Sequence, residues 1–338
     1  MSHVNSIQTK GQKMLDNQQN LLEIHQLYKG FKIGRWSKSR IVHAINDFSL
    51  TLKRGEVVAL VGESGSGKTT VARVIARLYE PTEGIMKLSN EIIPKKMSRK
   101  ELLVFHRKVQ MIFQDPFASL NPLQSIKYIL VRPLKIHGLA NRENIQEKVI
   151  KLLEQCGLTP AEQYLNKLPH ELSGGQRQRV GIARALAVDP DLILADEPTS
   201  MLDVSIRLDI MNLMLDLKDE GDISYIFITH DLAGAHYMAD RIAIMYAGHL
   251  VELGPSDLVI NEPLHPYTQL LKEAAPKPES GLKPIHIDTT QEVPDLTNLP
   301  EGCPFAPRCD YTKPECVEEL PPLIEVEPGR WSRCIKKL

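Results

Sequence analysis

The chain has 338 residues and a formal net charge of −1, and 42% of its residues are hydrophobic and 25% charged, as in ordinary globular proteins. The balanced charge argues against a general affinity for nucleic acid. No apolar run approaches the ~20 residues that cross a bilayer, and the polar N-terminus lacks a signal-peptide pattern, so we expect a cytosolic protein that reaches a membrane only through a partner.

The apolar pattern predicts an α/β fold with a mostly parallel sheet. The polar sequence of residues 1–20 predicts a disordered tail. Strands are predicted at 21–27, 48–52 and 57–61, and the last is a continuous apolar run, which is typical of a strand buried on both faces. A helix at 69–78 follows a glycine-rich loop. Residues 115–185 predict an inserted helical subdomain, and strands at 192–195 and 225–228 flank a helix at 206–219.

The composition changes near the C-terminus, where prolines and acidic residues become dense and periodicity fades. We predict an irregular C-terminal extension at 271–338. It contains Cys303, Cys309, Cys316 and Cys334, and in a reducing cytosol this cluster favours a metal site over disulfides. Cys156 lies alone in a helical stretch and is interpreted as a small apolar residue.

Residues 62–69 read GESGSGKT and match G-x-x-x-x-G-K-[ST] in full. Such a loop, between a buried strand and a helix, wraps phosphate groups with backbone N–H groups. Lys68 is predicted to reach the β- and γ-phosphates, and the Thr69 hydroxyl to bind Mg²⁺. The predicted nucleotide contacts of this segment are Gly62, Ser64, Gly65, Ser66, Gly67, Lys68, Thr69 and Thr70.

Two further strand ends carry candidate catalytic groups. Asp196 and Glu197 follow the strand at 192–195; Asp196 is predicted to hold Mg²⁺ and Glu197 to act as the general base on the attacking water. His230 follows the strand at 225–228 and is a candidate sensor of the γ-phosphate. A hydrogen-bonded structural role for His230 stays open, because a lone histidine at a strand end is often structural.

A second helix start with phosphate-binding character lies at Ser173, Gly174, Gly175 and Gln176. The chain already has one phosphate loop. A second such site is explained if it caps the nucleotide bound by another subunit.

The motifs at 62–69, 172–176, 196–200 and 228–231, in this order, resemble those of ABC transporter ATPases, and the resemblance covers about residues 21–270. It implies a P-loop NTPase fold with a RecA-like sheet. It further implies that Gln114 senses Mg²⁺ and contacts a membrane subunit, and that Asp203 lies in a loop that crosses a dimer interface. Phe31 takes the place of the aromatic residue that stacks on adenine, with Tyr28 as the alternative.

Narrower features are similar to the oligopeptide/dipeptide branch of importers: Gln114-Asp115-Pro116, the segment 265–268 (HPYT), and the C-terminal cysteines. The resemblance implies that the four thiolates hold a 4Fe-4S cluster. Zn²⁺ is the alternative metal, and unligated thiols are a further alternative. Met201 departs from the peptide-type loop and resembles oligosaccharide importers of this branch.

These features together predict an ATP-hydrolysing importer subunit for oligopeptides or oligosaccharides, peripheral at the cytoplasmic face of the membrane. The implied partners are a second ABC ATPase in a heterodimer, two permease subunits and an extracellular substrate-binding protein, without nucleic acid. One alternative is a soluble ABC ATPase acting on ribosomes or DNA. Another is an ATP-driven clamp without turnover, which the intact Glu197 and His230 disfavour.

Overall fold

A computed structural model describes residues 20–34, 39–274 and 294–335. The predicted N-terminal tail lies outside these ranges except for Asn20, and so does the segment 275–293 of the predicted extension. Within the described ranges, no helix combines the length and apolarity that crossing a bilayer requires.

The strands alternate with helices along much of the chain. The strands are β1 (Asn20–Ile33), β2 (Arg40–Lys53), β3 (Val57–Val61), β4 (Glu83–Leu88), β5 (Glu91–Ile92), β6 (Val109–Ile112), β7 (Leu192–Asp196), β8 (Ser224–Thr229), β9 (Arg241–Tyr246), β10 (His249–Pro255), β11 (Ile324–Glu327) and β12 (Arg330–Ser332). The α-helices are Lys68–Ile75, Arg99–Lys108, Pro116–Ser119, Ile126–Ile136, Ile145–Gln155, Glu162–Leu165, Gly174–Leu186, Val204–Gly221, Leu232–Met238, Ser256–Asn261, Pro266–Ala274 and Pro314–Glu318.

One compact unit comprises residues 53–56 and 96–226; we call it the first unit. Its strands β6 and β7 run parallel, with Val109 opposite Leu192, and β7 is buried along its whole length. The segment predicted as helical, 115–185, contains the helices Ile126–Ile136 and Ile145–Gln155 and most of Gly174–Leu186. The first unit therefore contains two segments with predicted site residues, the end of β7 and the start of the helix at Gly174.

Of the described residues, the second unit comprises 20–34, 39–52, 57–95, 227–274 and 294–335. It contains a four-stranded sheet in the order β2-β1-β4-β5, with β1 and β4 antiparallel. The same unit contains part of a second sheet, in which β3 and β9 pair in parallel. Beyond β9, the strands β10, β12 and β11 follow in this order, each antiparallel to the one before it. All five residues of β3 are buried, as its apolar run predicted.

Two expectations about the fold need correction. The sheet portion that contains β3 is mixed rather than mostly parallel, because β9, β10, β12 and β11 form successive antiparallel pairs. In the four-stranded sheet, β4 pairs antiparallel with both β1 and β5. The C-terminal extension is also not irregular throughout. A helical turn at Pro314–Glu318 and the hairpin of β11 and β12 occur in it, and Trp331 of β12 lies opposite Leu253 of β10.

Candidate functional site: a phosphate loop, a carboxylate pair and a glycine-started helix

The glycine-rich loop lies in the second unit, between β3 and the helix Lys68–Ile75. Gly67 has a φ of 102° and begins that helix without a side-chain cap. Because glycine has no side chain, the cap residue offers no acceptor that would compete with a phosphate for the first N–H groups of the helix. A Cβ on Gly62 would overlap the carbonyl oxygen of Met245, and one on Gly67 would overlap that of Ala44. Both positions consequently require glycine.

Lys68 is held inside this loop rather than extended into solvent. Its ammonium donates to the carbonyl oxygens of Gly62 at 2.6 Å and Glu63 at 2.8 Å, and only 5% of the residue is exposed. Phosphate oxygens carry more negative charge than these carbonyls and would be stronger acceptors for the same ammonium. Ser66 is also buried in the loop, whereas Ser64 and Gly65 are exposed and Thr69 and Thr70 are half-buried.

In the first unit, Gln114 and Glu197 form a direct pair. The Nε2 atom of Gln114 donates to Oε2 of Glu197 at 2.8 Å. Asp196, the last residue of β7, is buried, and Glu197 directly after it has a φ of 46°, in the left-handed region that non-glycine residues rarely adopt. The carbonyl of Glu197 accepts from the Ser200 hydroxyl at 3.0 Å, which fixes this turn. Strained backbone of this kind occurs preferentially at functional sites.

The helix Gly174–Leu186 begins with a complete capping box. The Ser173 hydroxyl accepts from the Gln176 N–H, and the Gln176 side chain accepts from the Ser173 N–H at 3.1 Å. A Cβ on Gly175 would lie 2.7 Å from the Ile206 side chain, so glycine allows the helix that begins at Val204 to approach closely. Gly174 contacts Leu202 in the same way, with 3.4 Å for an added Cβ.

Asp203 directly precedes the helix Val204–Gly221. It is exposed, and its side chain makes no hydrogen bond that caps this helix. Three apolar residues around it are also exposed: Met201 by 56%, Val204 by 72% and Leu208 by 43%. The loop predicted to cross a subunit interface is thus available on the surface of the first unit.

His230 and Phe31, both in the second unit, were predicted as nucleotide contacts. His230 directly follows β8 and is exposed, and the next residue, Asp231, caps the helix Leu232–Met238. The Phe31 ring is half-buried, packs edge-on against Tyr79 at 5.2 Å between centroids, and lies 4.8 Å from the Lys29 ammonium. Tyr28 is also half-buried, and burial raises its pKa.

Comparison with known proteins adds an independent observation. Residues 45–200 match the family described as ABC transporter, and residues 251–316 match the oligopeptide/dipeptide transporter C-terminal region. The chain is 49% identical to the oligopeptide transport ATP-binding protein OppF of Bacillus subtilis over 317 residues, covering 94% of this chain and 96% of that protein. It is 41% identical to AppF of the same organism, covering 94% and 98%.

The chain belongs to the ATP-binding proteins of ABC transporters.

Solved structures agree with this assignment. The ATP-binding cassette MJ0796, in a dimeric post-hydrolysis state with ADP and Pi, has a TM-score of 0.62 and 32% identity, covering 70% of this chain and 98% of that one. The protein cbiO1 of Clostridium perfringens, described as part of the ABC transporter complex cbiONQ, has a TM-score of 0.63 and 27% identity, covering 72% of this chain and 92% of that one. The recognition of an ABC ATPase from its motifs is therefore confirmed.

The four C-terminal cysteines of this ABC ATPase line one cavity, together with His265 and Phe305. None of the four forms a disulfide, and burial and the neighbouring Cys316 and Cys334 raise the pKa of Cys303 to about 11. The cavity has about 20 Å³, close to the space of one water molecule.

Across residues 20–34, 39–274 and 294–335, no group of three or more His, Cys, Asp or Glu side chains is placed to hold a metal ion. The structure therefore brings the four predicted ligands to one cavity, but their side chains are not placed as a ligand group for an iron–sulfur cluster or for zinc. Cys156, by contrast, is fully buried as a small apolar residue, and burial raises its pKa to about 12.

One residue of the phosphate loop and two that contact it were not among the predicted site residues. Glu63 occupies a free position of the loop motif, and its carboxylate pairs with Arg308 at 2.9 Å. The Tyr267 hydroxyl accepts a hydrogen bond from the Glu63 N–H at 2.8 Å. Tyr267 lies in the segment 265–268, which entered the prediction only through the family resemblance. No motif includes Arg308, and only its position beside Cys309 could have pointed to it.

Proposed function

We propose that this ABC ATPase hydrolyses ATP to drive an oligopeptide importer, as half of a nucleotide-sandwich dimer. The main support for hydrolysis is the hydrogen bond between Gln114 and Glu197 at the end of β7. A carboxylate held there in a strained turn is suited to orient and deprotonate a water molecule. The relatives named above support peptides as cargo. They do not support oligosaccharides, which Met201 had suggested.

In this proposal, each group of predicted site residues has its own role. Lys68 and the loop N–H groups hold the β- and γ-phosphates, and His230 contacts the γ-phosphate. The hydroxyl of Thr69 and the carboxylate of Asp196 are the oxygen ligands that Mg²⁺ prefers, and when bound the ion neutralises charge on the phosphates. Phe31 provides an aromatic surface for the adenine.

The helix that begins at Gly174 caps the nucleotide held by the partner subunit. This proposal explains why a capped helix start with close-packed glycines exists beside an exposed loop at Asp203. We propose a related but distinct ABC ATPase as that partner, with two permease subunits contacted near Gln114 and an extracellular substrate-binding protein. The chain would then be held at the cytoplasmic face of the membrane by the permeases.

Replacement of the general base tests hydrolysis directly. Glu197→Gln is expected to lower phosphate release from MgATP by about 10²–10⁴-fold. It should still bind MgATP, since the phosphate loop is unchanged. The matched control is Glu143→Gln, which changes an exposed glutamate outside the proposed site. Phosphate release by Glu197→Gln at the wild-type rate would refute the assignment.

We also propose that the four cysteines bind a 4Fe-4S cluster, on the support that all four thiols line one cavity. The test is the iron, sulfide and zinc content of anaerobically purified protein, with its visible spectrum. About four irons and four sulfides per chain, lost in Cys309→Ser but kept in Cys156→Ala, are expected. One zinc without iron would favour the alternative metal, and neither metal would leave the thiols unligated.

The remaining alternative, a soluble ATPase on ribosomes or DNA, gains no support from relatives that are named as transport proteins. Co-purification separates the two proposals. The chain should be recovered with permease subunits from detergent-solubilised membranes of its host. Recovery with ribosomes or DNA instead would contradict the transport proposal.

A further inference from the structure

The phosphate loop is held from outside by the C-terminal part of the second unit. Both carboxylate oxygens of Glu63 accept from the Arg308 guanidinium, at 2.9 Å and 3.0 Å. The backbone N–H of the same residue donates to the Tyr267 hydroxyl at 2.8 Å. One loop residue is thus fixed through both its side chain and its backbone. Its carbonyl oxygen, in turn, accepts from the Lys68 ammonium at 2.8 Å.

These two contacts rest on a rigid aromatic cluster. Tyr267 is fully buried and packs on Tyr246, with 4.6 Å between ring centroids, and Phe305 packs against both rings at 5.3–5.4 Å. The Arg308 guanidinium lies 5.8 Å from the Tyr246 ring centroid and 5.7 Å from that of Phe305. The side chain of Arg308 is consequently held in one orientation, and only 14% of it is exposed.

The turn that carries Arg308 is fixed by the cysteine-bearing segment. It spans Ala306–Arg308, between Cys303 and Cys309. The N–H of Cys303 donates to the Cys316 carbonyl at 2.7 Å, and the N–H of Cys309 donates to the Ala306 carbonyl at 3.2 Å. A displacement of Cys303 or Cys309 would therefore move Arg308 as well.

The electrostatic consequence follows from the position of Glu63. This residue places a negative charge inside a loop that must accept the negative phosphates of ATP. Arg308 compensates that charge through two charge-assisted hydrogen bonds. Without Arg308, the carboxylate would repel the phosphates and the loop would lose a constraint, so that ordering it would cost more on binding.

We propose that Arg308 and Tyr267 are positioning residues for ATP binding, through which the cysteine-bearing segment sets the conformation and charge of the phosphate loop. The inference rests on the proposed binding of ATP by this loop. Neither residue touches the nucleotide in this scheme. Both act through Glu63.

The test is a double-mutant cycle on the full chain, with MgATP titrated calorimetrically. Arg308→Gln is expected to weaken MgATP binding about three- to tenfold, and more strongly at low salt, because it leaves the Glu63 carboxylate uncompensated. Glu63→Gln should bind within about twofold of wild type. The double variant Glu63→Gln/Arg308→Gln should recover most of the affinity lost in Arg308→Gln, which a purely structural role of Arg308 would not produce.

Three further variants test the same inference in the MgATP titration. Lys313→Gln removes an exposed cation from the same segment and should leave binding unchanged. Arg308→Lys keeps the charge without the bidentate geometry and should give an intermediate affinity. Tyr267→Phe removes only the acceptor of the Glu63 N–H and should weaken binding about threefold.

The unfolding temperature of each variant without nucleotide shows whether it is folded. Unchanged MgATP binding by folded Arg308→Gln, or a double variant as weak as Arg308→Gln, would overturn the inference while leaving ATP binding intact. Failure of the wild-type chain to bind MgATP would overturn the proposed function itself.

Discussion

His249 makes the stability of the second unit depend on pH. It begins β10, it is 6% exposed, and its Nδ1 atom lies 3.0 Å from the carbonyl oxygen of Ala247. Burial, reinforced by the positive charge of Arg333, lowers the pKa of His249 from its ordinary value of 6.5 to about 4. The folded chain therefore keeps this imidazole neutral at pH values where the unfolded chain protonates it.

The sign and size of the effect follow from proton linkage. Because the pKa is lower in the folded state, the stabilisation is complete above pH 6.5 and is lost as the pH falls toward 4. Each pH unit in this window costs about 1.4 kcal/mol. At pH 5, about one and a half units below the ordinary pKa, His249 alone should lower the free energy of unfolding by about 2 kcal/mol.

Urea unfolding at pH 8 and pH 5 measures this loss. Fluorescence of Trp331 is a local probe, since it lies opposite Leu253 in the strand that His249 begins. His249→Asn preserves a donor toward the Ala247 carbonyl but cannot titrate, so its loss between the two pH values should be smaller than that of wild type by about 2 kcal/mol. His170→Asn, at an exposed position, is the control. Equal losses in wild type and His249→Asn would refute the reasoning.

Three further predictions test other parts of the structure. Gly62→Ala should abolish MgATP binding in calorimetry, because the new methyl group would overlap the Met245 carbonyl oxygen; retained affinity would contradict the loop geometry. Cys156 should resist N-ethylmaleimide at pH 8 until the chain is denatured, because burial raises its pKa to about 12; rapid labelling of the native chain, seen by peptide mass spectrometry, would contradict this. Arg177→Met should cost about 1–3 kcal/mol in urea unfolding, because the guanidinium lies 3.6 Å from the Phe117 ring centroid and makes two hydrogen bonds to a backbone carbonyl; a loss below about 0.5 kcal/mol would argue against this role.

The buried strands were the part of the fold that the sequence predicted best. Continuous apolar runs predicted β3, β7 and β8 within one or two residues of their observed ends. The antiparallel strands were harder to predict. In β11 all four residues are exposed, so no buried face imposes an alternating pattern on Ile324–Glu327. The hairpin to which β11 belongs is set by pairing with β10, which is distant in sequence.

The candidate site shows the same division between local and distant determinants. Gly62 and Gly67 could be predicted because close backbone approach and a left-handed φ each demand glycine, which leaves a readable pattern of residues. The Gln114–Glu197 hydrogen bond joins residues 83 apart, and only the family resemblance linked them to one site. Spacing alone contains no information about such a pair.

Glu63 is the extreme case of a position that the motif leaves free. In G-x-x-x-x-G-K-[ST] the second residue faces no local requirement, so nothing in the loop explains a carboxylate near bound phosphates. Its partner, Arg308, is 245 residues away, beyond the end of the ATPase motifs and next to a cysteine. Because the carboxylate is unfavourable without its partner, the two residues make physical sense only as a pair. In this chain the phosphate loop is therefore completed by the segment that follows the ATPase motifs, and truncation before Arg308 should weaken MgATP binding at least as much as Arg308→Gln does.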